Sequence, residues 1–547
     1  MALVKAKITK MVYPNYSIAY GENGKQYRFK GGILGQTVML KGGKLKAGFN
    51  KAKLIEIVEK SPLEINNICE NPNNCSGCKF QNVDYQKELE IKEEMINELY
   101  SEIHWNENIK INPSPIISSY RNKMEYTFGD EVKHGPLTLG MHKVGRFYEI
   151  VEDGGCQISH TDFEVIREYT QNFFRKYEFD FYHKVSHHGF LKFFVIRYSF
   201  YQKAFMLNLV TATTDKLTQE IFDDFISGFQ SMNIEGKITS FYHTISDSIS
   251  DAIKPDTITK IWGEEHLTEK INGLIFNISP FSFFQPNPKG AENLYNRAVE
   301  FAGKIDNKTV YDLYCGTGTI SQIFAKKAKK VIGVEIVEEA VIKAKENAEI
   351  NNLSNLEFRA NDVLAEIDNL TDNPDIVVLD PPRSGIHADA ISKICQMNAP
   401  TIVYISCNPQ TQVEDLKLFM DGGYKIEKIE CFDQFPRTMH VETVALLSHQ
   451  EVEKTIYIEY EPKDNELIPY KDATYEEIKA WIKKTYGFNV TNLYIGQAKE
   501  KFGLAKRKNY NLSKKEDQVV PKCPEEKMEA IKEAFIHFKM IDGWRKK

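Results

Sequence analysis

The sequence predicts an α/β protein built around a doubly wound, Rossmann-like parallel sheet, with smaller β-rich and helical parts before and after it. Three observations carry this. From about residue 281 to 450, apolar strand-length runs alternate with helical periods. The first strand of that region runs into Asp312-Leu-Tyr-Cys-Gly316-Thr-Gly318, a glycine-bearing turn into a helix. A β-branched and aromatic run, Thr401 to Ile405, ends abruptly in Ser406-Cys407-Asn408-Pro409. In open α/β sheets, ligands bind just outside the carboxyl ends of the strands.

At 547 residues the chain is long enough for more than two domains. No apolar run is long enough to span a bilayer, and MALVKAKITK lacks a signal-peptide core, so a cytoplasmic location is expected with no membrane partner. Nine cysteines, odd in number and mostly scattered, argue against a disulfide framework. The net charge of -6 speaks against nucleic acid for the chain as a whole. Its distribution is uneven, however. Residues 1–60 hold twelve Lys or Arg against Glu22, Glu56 and Glu59, a basic surface suited to phosphates.

Residues 1–60 read as an OB-like β-barrel. Ala6–Val12, Gln26–Phe29, Thr37–Leu40 and Ala52–Val58 are short apolar runs separated by turn signals such as Glu22-Asn23-Gly24. A β-rich central domain spans 61–280. It opens with Cys69-x5-Cys75-x2-Cys78, three thiols within ten residues, as in a loop wrapped round a metal. Cys156 is the candidate fourth ligand, and tetrahedral zinc and an iron–sulfur cluster both suit four thiolates. Residues 84–110 have helical period, and Arg121, Lys123 and Arg146 are candidate phosphate contacts.

The catalytic domain spans 281–450. Its expected strands are Thr309–Cys315, Lys330–Ile336, Leu356–Ala360, Asp375–Leu379, Thr401–Ser406, Lys425–Phe432 and Val441–Ser448, with helices at Ile320–Lys329 and Glu338–Asn352. A dinucleotide fingerprint would need a further glycine after Gly318, where this chain has Ile320 and Ser321. Glu335, at the end of the second strand, stands where an acid takes ribose hydroxyls, and Asp362 is in reach of an adenine amino group. This set favours S-adenosylmethionine over NAD. Asp380-Pro-Pro-Arg383 follows the fourth strand, where an aromatic in place of Arg383 would point to amino-group methylation of adenine.

The motifs Phe284-Gln285-Pro-Asn287, Asp312-Leu-Tyr-Cys-Gly-Thr-Gly, Asp380-Pro-Pro-Arg, Ser406-Cys-Asn-Pro and His440-Val-Glu442-Thr resemble, in this order, those of the RNA uracil-C5 methyltransferases. The likeness covers residues 1 to about 448. The chain is most similar to the 23S rRNA branch, whose TRAM domain the N-terminal stretch resembles. The resemblance implies Cys407 as nucleophile and Glu442 as base. It implies Gln285, Tyr314, Glu335 and Asp380 around S-adenosylmethionine, and Cys69, Cys75, Cys78 and Cys156 around a [4Fe–4S] cluster. An RNA substrate, 23S rRNA before tRNA, and no obligate protein partner are expected, with a monomeric enzyme. Cytosine-C5 methyltransferases of RNA carry a second cysteine after the preceding Asp-Pro, where this chain has Pro382 and Arg383.

Residues 451–547 lie beyond the resemblance and read as a helical module. Thr474-Tyr-Glu-Glu477 is a capping box, with Ile478, Trp481 and Ile482 on one face. Gly487 stops that helix, Thr491 caps a second, and Glu525–Phe538 forms a third after Pro524. Lys499, Lys501, Lys506, Arg507 and Lys508, with Tyr510 beside them, suggest a phosphate-binding surface.

Overall fold

The computed structural model describes residues 3–46, 48–66, 69, 71, 74–152, 154–250, 252–370, 373–450, 473–502, 504, 521–538, 540 and 541. The chain divides into two compact units, Met1–Glu451 and Val452–Lys547.

The first unit opens with β1 (Leu3–Val12), β2 (Tyr16–Gly21), β3 (Gln26–Lys30), β4 (Thr37–Lys46) and β5 (Phe49–Glu59), closed into a barrel in the order β1-β2-β3-β5-β4. Its interior is small and apolar: Ala6, Ile8, Ala19, Tyr27, Phe29, Val38 and Leu40. Sequence reading passes over β2, because Tyr16-Ser-Ile-Ala-Tyr alternates over too few residues to stand out. Pairing with β1 from Lys7 to Val12 makes it a strand.

Helix α1 (Tyr85–Tyr100) follows, shorter than the periodic stretch suggests. Asp84 caps it by accepting from the Gln86 N–H at 2.9 Å. Strand β6 (Ile111–Asn112) leads into a seven-stranded sheet. Its members are β7 (Lys123–Gly129), β8 (Thr138–Lys143), β9 (Arg146–Glu152), β10 (Leu191–Ser199), β11 (Ala204–Thr211), β12 (Lys237–Ile245) and β13 (Thr257–Gly263). Every residue of β10 and β11 is buried. That explains their unbroken apolar character: α2 (Asp162–Lys176) and α3 (Gln219–Ser227) supply a phenylalanine-rich core on one face. On the other, Ala204, Met206 and Tyr242 join a core shared with the hairpin β14 (Leu267–Ile271) and β15 (Leu274–Ile278) and with α4 (Pro288–Phe301). The central and catalytic regions are therefore continuous in packing.

The catalytic sheet contains β16 (Thr309–Leu313), β17 (Lys330–Glu335), β18 (Leu356–Ala360), β19 (Ile376–Leu379), β20 (Thr401–Ser406), β21 (Tyr424–Phe432) and β22 (Glu442–His449). With β6 at its edge, the order is β18-β17-β16-β19-β20-β22-β21-β6. The first five strands are parallel, and β22 runs antiparallel between β20 and β21. The connecting helices are α5 (Thr319–Ala325), α6 (Glu338–Ile350), α7 (Val363–Glu366), α8 (Ala388–Gln396) and α9 (Pro409–Asp421). Helix α5 ends earlier than the sequence period implies.

In the second unit, α10 (Tyr475–Tyr486), α11 (Asn492–Lys501) and α12 (Glu525–His537) pack around Ile478, Ile482, Ile495, Ile531 and Phe535. Thr474 and Glu477 form a reciprocal capping box, and Gly487 ends α10. Lys506, Arg507, Lys508 and Tyr510 lie outside the described residues. Among the described residues, no helix is long and apolar enough to cross a membrane. Among the described residues, none of the nine cysteines is joined in a disulfide.

Candidate active site

The strand order reverses on either side of β16, which is flanked by β17 and β19, so a crevice opens at their carboxyl ends. Beyond Leu313 the backbone turns sharply: Tyr314 has φ 71°, and the Tyr314 and Cys315 N–H groups both donate to the Val334 carbonyl. Glu335 accepts from Gly316 N–H at 3.1 Å and from Val337 N–H at 2.9 Å. The two glycines of the turn do different work. A Cβ on Gly318 would meet the Phe358 ring at 2.7 Å, whereas one on Gly316 would meet nothing within 4 Å. Gly318 serves packing, and Gly316 leaves space for a ligand. Asp312 is buried below. One carboxylate oxygen accepts from the Ser321 hydroxyl and the other has no partner among the described residues, while burial pushes the acid up to about 7.

Cys407 and Glu442 come together where β20 ends and β22 begins. Ser406 pairs with Thr443 across β20 and β22, so the register sets Cys407 opposite Glu442. Thr443 donates to Gln412 Oε1 at 2.7 Å, and Gln412 in turn donates to the Tyr404 carbonyl at 2.9 Å, pinning the pair from behind. The Asn408 side-chain amide holds the Arg383 carbonyl at 2.9 Å. Burial pushes Glu442 up to about 8, aided by Asp380 and opposed by Arg383. Burial and then Asp312 push Asp380 up to about 7. The Cys407 thiol is pushed up to about 11 by burial and by Glu442 and Asp380, against the charge and hydrogen bond of Arg383. Gln285 bonds the buried Tyr295 phenol, on whose ionisation Asp380 and Glu442 both act. Burial, reinforced by the charges of Arg383, Lys92 and Arg121, drops His440 to about 4, so it is neutral at pH 7.

The segment before Glu442 is anchored by a buried ionic group. Lys92 of α1 lies 2.7 Å from both Glu88 and Asp433, all three fully buried. Burial works against the Lys92 charge, but the two carboxylates outweigh it and raise its pKa. Arg437 donates its backbone N–H to Glu88 at 2.7 Å, and its carbonyl accepts from the Lys79 and Phe80 N–H groups.

The family model described as tRNA (Uracil-5-)-methyltransferase matches residues 257–450. An uncharacterized RNA methyltransferase of Caldanaerobacter subterraneus subsp. tengcongensis is 41% identical over 447 residues, covering 81% of this chain and 98% of that protein. One from Clostridium tetani is 42% identical over 458 residues, covering 82% and 100%. This chain belongs to the RNA uracil-C5 methyltransferase family. In fold it is similar to the tRNA (uracil-54, C5)-methyltransferase of Pyrococcus abyssi, solved with S-adenosyl-L-homocysteine. The TM-score is 0.65 at 24% identity, covering 81% of this chain and 99% of that one. The two curated relatives leave roughly a fifth of this methyltransferase unmatched.

The structure brings Gln285, Asp380, Cys407 and Glu442 into one electrostatic neighbourhood, and sets Tyr314 and Glu335 at the turn beside it. Asp362 caps α7, accepting from Ala365 N–H, and its charge acts on Tyr314. Three contributors escaped sequence reading. Arg383 looked like evidence against another chemistry, Tyr295 lies mid-helix with no local signal, and Asp312 was read only as the opening of its motif. Arg146 is paired with Glu149 at 2.8 Å.

Cys75 is held against β8 by a bridge to Lys143, and Gln81 donates to Cys78 Sγ at 3.1 Å. Cys156, Cys75 and Cys69 all lie near enough for their charges to add to burial in raising the Cys78 thiol. Among the described residues, however, no three or more His, Cys, Asp or Glu side chains are grouped to hold a metal ion. The four cysteines expected to bind a metal thus share one neighbourhood without forming a metal-holding group.

Proposed function

We propose that this enzyme transfers a methyl group from S-adenosylmethionine to carbon 5 of a uridine in RNA, through a covalent bond between Cys407 and the base. The register that sets Cys407 opposite Glu442, beside Asp380 and Arg383, carries the reading. The orphaned Asp312 oxygen, the open space before Gly316 and the Glu335 carboxylate suit an aminoacyl nucleoside with an ammonium group and ribose hydroxyls. Asp312, Tyr314, Glu335, Gln285 and Asp380 would hold it. When bound, it supplies an electrophilic methyl group on a sulfonium.

Carbon 5 of uracil is a weak nucleophile. Cys407 thiolate forms a bond to carbon 6, and the electron pair of the 5,6 double bond moves toward the carbon-4 carbonyl. Arg383 favours the thiolate form needed for this step. Carbon 5, now enolate-like, takes the methyl group as the methyl–sulfur bond breaks and the sulfur leaves as a neutral thioether. Glu442 then removes the proton from carbon 5. The double bond re-forms and Cys407 leaves as thiolate. A carboxyl pushed up to about 8 is a stronger base than an exposed one, as this step demands. The base must leave its stack to enter the site.

The RNA we assign is 23S rRNA, on the resemblance of the basic barrel and the four cysteines to that branch. Cys69, Cys75, Cys78 and Cys156 would hold a [4Fe–4S] cluster, whose soft iron suits a set of thiolates gathered around Cys78. Its role would be structural. Methylation by labelled S-adenosylmethionine of unmodified 23S and tRNA transcripts tests the assignment. Label on tRNA alone would replace the 23S reading, and label on cytosine would overturn the uracil chemistry. Anaerobic purification should yield iron and acid-labile sulfide with the protein; stoichiometric zinc would reverse that part.

A further inference from the structure

We infer that Tyr13, carried by the turn between β1 and β2 of the barrel, presents its hydroxyl to the target base and is a substrate-contacting residue of the reaction proposed above, on which this inference rests. The barrel is basic on its outside, as an RNA handle should be, but Tyr13 does not belong to that surface. Its side chain is 8% exposed. It packs in the core of the catalytic region together with Met439 and Val441, which lead into Glu442, and Ile386, which follows the Asp380 motif. Met11 and Ile33 of the barrel enter the same core, and Lys10 pairs with Glu98 on α1, so this end of the barrel is docked and held.

The phenol faces chemistry rather than packing. After burial, the groups acting on it are Glu442, Cys407 and, more weakly, Cys431, which disfavour its ionisation, and Arg383, which favours it. The balance keeps Tyr13 protonated throughout the working range, as a hydrogen-bond donor. No described residue bonds that hydroxyl. The oxygen is not among the fully enclosed unpartnered atoms, so it stays within reach of an incoming ligand, and at a reactive site such a group is one a ligand completes. Among what enters here, the acceptors are the carbonyl oxygens of the pyrimidine. A neutral donor aimed at a carbonyl on which charge develops during thiolate addition favours the transition state over the resting base. A phosphate contact fits less well, because the foremost charged neighbour of Tyr13 is the Glu442 carboxyl.

The test is single-turnover trapping with 5-fluorouridine-substituted transcripts of 23S rRNA and of tRNA, using the one the wild-type enzyme traps. Tyr13→Phe keeps the ring and removes only the hydroxyl. The expected outcome is adduct formation slowed about 10- to 100-fold, with RNA affinity and melting temperature unchanged. Trapping at the wild-type rate overturns the inference. So does a loss of rate matched by an equal loss of RNA affinity, which would make Tyr13 a docking residue only. Cys407→Ala in the same assay separates the two claims: an adduct surviving there defeats the nucleophile assignment whatever Tyr13 does. A wild-type enzyme that traps neither RNA defeats both.

Discussion

Asp312, Asp380 and Glu442 share one buried neighbourhood, and each is pushed well above the usual carboxylate range, to about 7, 7 and 8. A raised carboxyl holds its proton longer folded than unfolded. Its stabilising contribution is full at low pH and is lost as pH rises through the folded value. We expect the cofactor-free enzyme to lose stability between about pH 4 and pH 8, by up to about 1.4 kcal/mol per pH unit for each titrating group. Calorimetry should show Asp380→Asn with a flatter profile; an identical slope would refute this origin. The same values set activity. With Glu442 as base, kcat/KM should climb toward about pH 8, and Glu442→Gln should accumulate methylated RNA still bound to protein. Normal turnover in that variant would end the assignment. The strand-end placement of Cys407 and Glu442 was legible in the sequence because each sits in a short motif there. Arg383, Tyr295 and Tyr13 were not, since their roles arise from distant segments meeting in space.

At the scale of elements, the turn after β16 and the anchor on α1 make separable claims. Gly316→Ala should cost only about 1–2 kcal/mol in stability, because its Cβ meets open space despite φ 53°. It should weaken binding of S-adenosylhomocysteine at least about tenfold, read by titration calorimetry. Equal affinity would show that the open space is not the ligand's. Lys92→Met strands Glu88 and Asp433 without their cation and should cost roughly 3–5 kcal/mol on denaturant unfolding. The strands and helices of the α/β region were readable from period and turn chemistry. Strand β6 was not: two residues long, it exists only because Cys431 and Phe432 of β21 offer Ile111 and Asn112 a pairing edge.

For the whole molecule, the second unit has its own core and its own caps, and a chain ending after His449 should keep S-adenosylhomocysteine binding. If the basic segment beyond α11 holds RNA, that truncation should weaken RNA binding and flatten its salt dependence. An unchanged salt slope would make the unit an appendage. The three helices were foreseeable because their caps are local; what the unit does is not written in any local pattern. The placement of β22 has a further consequence, for synthesis. It is the last strand of the catalytic sheet to leave the ribosome, yet it fills an interior slot between β20 and β21. A nascent chain must therefore hold two strands apart, edges unpaired, until residues near 449 emerge. Cys407 is made early, but it meets its partner carboxyl only when that slot closes. An interrupted chain carries Cys407 without Glu442, together with two sticky edges, and is a substrate for chaperones.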